Sequence, residues 1–150
     1  MIALLKQLFQ SQTQALSPQE QERQLNLAAA SMLLEVVYAD ETLSESEAEL
    51  LPQLLVSTLG ILAGEAEQVL VEAKRTQRNA TSLYEFTAEI NRIYSIGQKQ
   101  QLLLAMWRLA YADGRLCQYE DQIIRRTADL LYLKHSELIR MRNLAKEQTD

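Results

Sequence analysis

Along most of the chain, apolar residues recur at the three- and four-residue spacing of an α-helix. One such stretch predicts a helix from Ser17 to about Ala39, whose apolar positions include Leu33 and Val36. A second, strongly apolar stretch predicts a helix over 99–112. The pattern therefore favours an all-α fold.

Polar capping signals and glycines place the ends of the predicted helices. Ser17 and Glu20 form a capping box around Pro18, a residue that suits the first helical position. Ser44 and Glu47 form a second capping box. The remaining helices are predicted at about 44–58, 64–78, 82–94, 118–131 and 135–147, with Thr81 or Ser82 as a cap, Gly60 as a stop and Gly97 as a break. The result is a compact bundle of seven to eight helices.

The sequence predicts a separate N-terminal amphipathic helix or arm over residues 1–16, followed by one all-helical domain over 17–150. Ile2, Leu5, Leu8 and Phe9 share one helical face. This face predicts docking on the domain, on a protein partner or on a second copy of the chain. Peripheral membrane contact through residues 1–15 is disfavoured, because the segment has only one cation to attract a membrane surface.

Composition agrees with this fold and excludes some partners. The chain has 150 residues, of which 47% are apolar, with only four Gly and two Pro. So few turn residues disfavour an all-β fold. The net charge of −5 argues against nucleic acid as a partner, since nucleic-acid-binding proteins present a basic face.

Cysteine content and hydropathy predict the compartment. Cys117 is the single cysteine, so no intramolecular disulfide can form, as expected in a reducing environment. No apolar run reaches the roughly 18 residues that a membrane-spanning helix requires. The first ten residues lack the pattern of a signal peptide. We therefore expect a cytoplasmic protein.

An internal repeat is the most informative feature of the sequence. The stretches 38–47 and 111–120, which lie 73 residues apart, share Tyr, Ala, Asp, Leu and Glu at matching positions. Each stretch follows one predicted helix and enters another. The chain is therefore expected to contain two pseudo-repeated helical hairpins.

Each repeat places an aspartate in an unfavourable position. Asp40 lies on the apolar face at the C-terminal end of its helix, and Asp113 has the same relation to the preceding helix. The helix dipole is negative at that end, and burial of a charge adds a desolvation cost. Loop amides, an arginine or a bound cation would each offset these terms.

A glutamate follows each aspartate by seven residues. Glu47 completes a capping box, whereas Glu120 has a weaker structural reason for its position because Cys117 is a poor cap. The four carboxylates Asp40, Glu47, Asp113 and Glu120 are the candidate ligands of one shared site. Oxygen donors favour Ca²⁺, Mg²⁺ or Mn²⁺ over Zn²⁺. The alternative is a pair of capped helices with amide-bonded aspartates.

The second repeat, Ala112-Asp113-Gly114 with Leu116 and Glu120, resembles the repeated A-D-G-x-I/L-x-x-x-E signature of the tellurite-resistance TerB family. The resemblance covers roughly residues 25–145. It implies an all-α fold of about seven helices, a metal site of clustered acids at the four positions above, and a role in tellurite resistance or stress responses. Glu41 stands where the signature has Gly, and it is a candidate additional ligand.

Catalytic signals are weak. His135 has no partner motif, Cys117 has no paired histidine, and no glycine-rich phosphate loop is present. The sequence therefore predicts a non-enzymatic TerB-like protein with an acidic divalent-cation site. The alternative is a helical protein–protein interaction module, or a co-chaperone-like adaptor, whose acidic residues are structural caps.

Overall fold

A computed structural model of the chain describes residues 17–40, 44–79, 83–112, 114 and 116–149. Over these residues the chain forms seven α-helices, one short 3-10 helix and no strand, which confirms the all-α prediction. The elements are α1 (Pro18–Val37), the 3-10 helix (Tyr38–Asp40), α2 (Glu45–Ser57), α3 (Ala63–Asn79), α4 (Leu83–Ile93), α5 (Ile96–Ala110), α6 (Gln118–Leu130) and α7 (His135–Thr149).

Two helices, α1 and α5, form the centre of the fold. Helix α1 contacts α2, α3, α4, α5 and α6, and α5 contacts α1, α2, α6 and α7. Over 28–37 and 102–110 both helices are apolar on almost every face, which is typical of helices surrounded by others. Their buried apolar residues include Ala29, Met32, Leu33, Leu34, Val36 and Val37 in α1, and Leu102, Leu103, Ala105, Met106, Trp107 and Leu109 in α5.

The other described helices pack around this pair. Helix α3 packs on α1 and α7 packs on α5, while α2 also contacts α5 and α6 also contacts α1. Helix α4 lies against α1 and α6. Helices α2 and α6, which each follow one of the central helices along the chain, therefore contact both central helices.

The predicted signals set the ends of α1 and α2. Ser17 caps α1, because its Oγ accepts a hydrogen bond from the Glu20 N–H at 3.1 Å. Gly60 follows α2 with a φ of 74°, a conformation that glycine adopts at low cost. The next N–H, of Ile61, donates to the Leu55 carbonyl at 2.9 Å, which satisfies one of the carbonyls that the helix end leaves without an intrahelical partner.

The predicted break at Gly97 and helix start at Lys99 are wrong. Helix α5 begins at Ile96, with Ser95 as its N-cap. Ser95 Oγ accepts from the Gln98 N–H at 3.2 Å, and Gln98 Oε1 accepts from the Ser95 N–H at 2.8 Å. Gly97 is therefore in the first turn, where the N–H groups have no intrahelical partner. The predicted cap at Thr81 or Ser82 and the N-terminal segment 1–16 lie outside the described residues.

The packing of α1 predicts a large effect for one core substitution. Leu33→Ala removes a fully buried side chain from the central helix and should lower the free energy of unfolding by about 2–5 kcal/mol, since the cavity cannot close completely. Urea denaturation measures the change. Leu62→Ala, at a side chain that is 69% exposed, should change it by no more than about 0.5 kcal/mol. Equal effects would contradict the burial of α1.

Candidate functional site

The first bend connects α1 to α2. Tyr38 caps the end of α1, and its N–H is directed to the carbonyls of Leu34 and Val36. Asp40 is the last residue of the 3-10 helix that follows. The side chain of Asp40 and the whole of Glu41 lie outside the described part of the chain, so their roles as ligands stay predictions.

Glu47 is buried at the start of α2. Its side chain is only 2% exposed, although it carries a carboxylate. Oε1 accepts a hydrogen bond from the Ser44 N–H at 3.1 Å, and Ser44 Oγ accepts from the Glu47 N–H at 3.1 Å. The predicted capping box is therefore confirmed. The helix N-terminus also favours the negative charge at this position.

The second bend connects α5 to α6 and begins with the same backbone geometry. Tyr111 caps α5 with φ −92° and ψ 3°, close to the φ −85° and ψ 1° of Tyr38. The Tyr111 carbonyl accepts from the Gly114 N–H at 2.9 Å, and Gly114 has a φ of 84°. Asp113 and Arg115 fall outside the residues that the structure describes.

Glu120 occupies the same local position in α6 as Glu47 occupies in α2. It is only 3% exposed, and its Oε1 accepts a hydrogen bond from the Cys117 N–H at 3.1 Å. The expectation that Glu120 has a weaker structural reason for its position is therefore wrong for the carboxylate half of the capping box. At this N-cap the Cys117 sulfur, a weak acceptor, takes the place of the Ser44 hydroxyl oxygen.

The first bend lies against the helix that follows the second bend. The 3-10 helix that ends at Asp40 contacts α6, and α2 contacts α5. Among the side chains that the structure describes, no three His, Cys, Asp or Glu residues form a group that could hold a metal ion. Two of the four predicted ligands, Glu47 and Glu120, are thus placed as buried carboxylates. The positions of the aspartate side chains stay a prediction.

Three cationic side chains lie near Tyr111 in the second bend, which no local sequence pattern indicates. Burial raises the pKa of the Tyr111 phenol, Arg142 and Arg125 act to lower this pKa, and Asp121 acts to raise it. The Tyr111 ring stacks on Trp107 with 6.1 Å between ring centroids, and Lys146 Nζ lies 5.7 Å from the Tyr111 centroid.

Asp121 is a further acid beside this bend that sequence reasoning missed. Its Oδ2 accepts a hydrogen bond from Arg125 Nε at 2.8 Å, one helical turn away. The four-residue spacing of Asp121 and Arg125 is the only sequence signal for this pair. Arg142 and Lys146 reach Tyr111 from α7, which a sequence pattern does not reveal.

His135 and Cys117 are the other residues with reactive side chains. His135 is the exposed first residue of α7, as predicted, and Cys117 is half-buried at the N-cap of α6. None of the helices over the described residues is long and apolar enough to cross a membrane.

Two central apolar helices, each leading through a bend into a helix with a buried glutamate in its first turn, define a helical protein with a pair of candidate acidic loops. Residues 26–143 match the family described as tellurite resistance protein TerB. Because the match covers most of the 150 residues, the chain belongs to the TerB family. No curated protein and no solved structure matches the chain.

Matched substitutions at the N-caps of α6 and α2 should change the free energy of unfolding in opposite directions. Cys117→Ser should raise the free energy of unfolding by about 1 kcal/mol, because serine supplies the oxygen acceptor that α6 lacks. Ser44→Ala should lower it by about 1 kcal/mol, since it removes the bond to the Glu47 N–H. Chemical denaturation of both variants checks this. A destabilised Cys117→Ser variant would show that the thiol already stabilises the helix start.

Proposed function

We propose that this TerB-family protein is a non-catalytic divalent-cation-binding protein with a role in tellurite resistance or a related stress response. The proposed ligands are Asp40, Glu47, Asp113 and Glu120, with Glu41 as an additional donor. The carrying observation is the burial of Glu47 and Glu120 at equivalent positions after the two bends.

Burial of a glutamate has an energetic cost, because an ionised carboxylate loses hydration when it leaves water. The N–H of the N-cap residue donates a hydrogen bond to each of these carboxylates, and the favourable end of the helix dipole stabilises them further. A glutamate that only caps a helix needs no such burial, since its carboxylate can stay in contact with water. A nearby cation would add to the stabilisation of the ionised form at both positions.

The arrangement of the hairpins supports a shared site. The first bend contacts α6, the helix whose first turn contains Glu120. Oxygen donors from carboxylates suit a hard cation, so Ca²⁺, Mg²⁺ or Mn²⁺ is proposed in preference to Zn²⁺. A cation held by both hairpins would couple metal loading to the packing of α2 and α6 on the central helices.

The cations around Tyr111 favour a second candidate function. Arg125, Arg142 and Lys146 supply positive charge at the second bend without a metal. In that case the acids stabilise the bends, and the protein is a helical interaction module or co-chaperone-like adaptor that binds another protein or a second copy of itself. The two functions differ in their response to metal.

Thermal and chemical denaturation with and without cation separate the two functions. At a concentration one hundred times the dissociation constant, Ca²⁺, Mg²⁺ or Mn²⁺ should stabilise the native state by about 2.7 kcal/mol relative to EDTA. The double variant Asp40→Asn, Asp113→Asn should lose this shift and keep its helical circular dichroism.

A matched control removes two negative charges from α2 and α6, at positions outside the bends. Glu49→Gln with Asp129→Asn changes exposed residues of α2 and α6 and should keep the full response to metal. A response that survives Asp40→Asn, Asp113→Asn would show that the ligand assignment is wrong. Unfolding that does not depend on any of the three cations would favour the interaction module.

A second pair of variants separates the capping role of the glutamates from a ligand role. In Glu47→Gln with Glu120→Gln, the amide oxygen can still accept from the Ser44 and Cys117 N–H groups, so the metal-free protein should stay folded. Loss of the two charges should weaken cation binding. Isothermal titration calorimetry measures the affinity. An unchanged affinity would restrict both glutamates to capping.

A further inference from the structure

An apolar groove runs along the outer side of α2 and α3. It has a volume of about 900 Å³. Its lining includes Leu51, Pro52, Val56, Ala63, Leu70 and Val71. Val56 is 38% exposed and Val71 is 52% exposed, so apolar area that could be buried faces solvent in the described part of the chain.

The equivalent face of α6 is polar. Helices α2 and α6 have the same length and are related by the 73-residue offset, so their positions can be compared one by one. The three outward-facing groove positions of α2 and their counterparts in α6 are Ala48 and Asp121, Pro52 and Arg125, and Val56 and Asp129.

The polar residues of α6 form a partly solvated surface. Asp121 and Arg125 form a half-buried ion pair at 2.8 Å, where α2 has Ala48 and Pro52. At the same 73-residue offset, Val71 of α3 corresponds to Leu144 of α7, which is 36% exposed. The contrast is therefore between α2 and α6. The fold is stable with a polar outer face on α6, so it does not require the apolar outer face of α2.

Residues 1–16 have the composition and the attachment point to cover this groove. We propose that the apolar face formed by Ile2, Leu5, Leu8 and Phe9 packs as a helix in the α2–α3 groove of the same chain. Lys6 is the single charged residue among these sixteen, so docking would require little desolvation of charge.

The start of α1 lies close to the groove. Arg23, in the second turn of α1, forms an ion pair with Glu72 of α3, and Gln19 lines the same surface depression as Glu72. Val71 and Lys74, which are one and two residues from Glu72 along α3, line the groove. The first turn of α1 and the groove are therefore on adjacent sides of one helix, whose diameter with side chains is about 10–12 Å.

The lengths also agree. A helix over residues 2–9 is about 10 Å long, and the groove residues from Ala48 to Ser57 of α2 span about 14 Å. Residues 10–16 are mostly polar and can reach about 23 Å when extended, more than the width of α3. Covalent attachment gives the segment a millimolar effective concentration at the groove, which favours it over a separate partner.

Paramagnetic relaxation tests the contact in the full-length protein. In a Cys117→Ser background, Gln53→Cys places a nitroxide on the exposed edge of the groove. The amide signals of residues 2–9 should lose intensity relative to the reduced label in dilute protein. Arg126→Cys places the label at the equivalent exposed position of α6 and should leave these signals unchanged.

Two further measurements identify what occupies the α2–α3 groove. Val71→Asp introduces a charge into the groove and should restore the signals of residues 2–9, whereas Asn143→Asp should not; circular dichroism establishes that both variants fold. A mixture of ¹⁵N-labelled protein and unlabelled, spin-labelled protein reports contacts between copies.

The proposal predicts intensity loss within one chain and none in the mixture. Loss only in the mixture would assign the groove to a second copy of the chain. Signals of residues 2–9 that are unaffected by the label at position 53, or loss that persists in Val71→Asp, would overturn docking in this groove. The test does not involve metal, so its outcome is independent of the proposed cation site.

Discussion

Burial of the C-terminal halves of α1 and α5 on all sides is the constraint from which the rest of the structure follows. Over 28–37 and 102–110 these helices offer apolar side chains in almost every direction, including the fully buried Leu33 and Trp107. Such helices are stable in water only when other helices surround them. The five remaining described helices form that cover. As a result, each bend that leaves a central helix starts from the core and has to bring polar residues out of an apolar environment.

The buried glutamates result from this geometry. Helices α2 and α6 begin immediately after the bends, so the first turn of each lies next to the central pair, and Glu47 and Glu120 are enclosed there. The N–H of each N-cap residue donates a hydrogen bond to the carboxylate. The same position in each helix therefore serves a capping role and places a carboxylate beside the core. The proposed cation site would use these two carboxylates, whereas Arg125 and Arg142 near Tyr111 favour the alternative without a metal at the second bend.

The contrast between the two hairpins separates what the fold requires from what this chain adds. Leu51 and Ile124 are matched core residues, because both face the central helices. The outward positions diverge, with Pro52 and Val56 on one hairpin and Arg125 and Asp129 on the other. A solvated outer surface does not select apolar residues. Their presence on only one hairpin is the basis for assigning the N-terminal segment to that groove.

The sequence by itself determined the helical class, most helix bounds, the Ser17 cap of α1 and the Ser44–Glu47 capping box, because spacing and capping are local effects. It misplaced the start of α5, since Gly97 has low helical propensity but lies inside the capping box that Ser95 and Gln98 form. Tertiary structure alone decided that Glu47 and Glu120 are both buried and that Arg142 and Lys146 approach the second bend from α7. It also decided that α2 and α3 enclose an apolar groove. Each of these features depends on which helices pack together across long sequence separations, and a local pattern of residues does not contain that information.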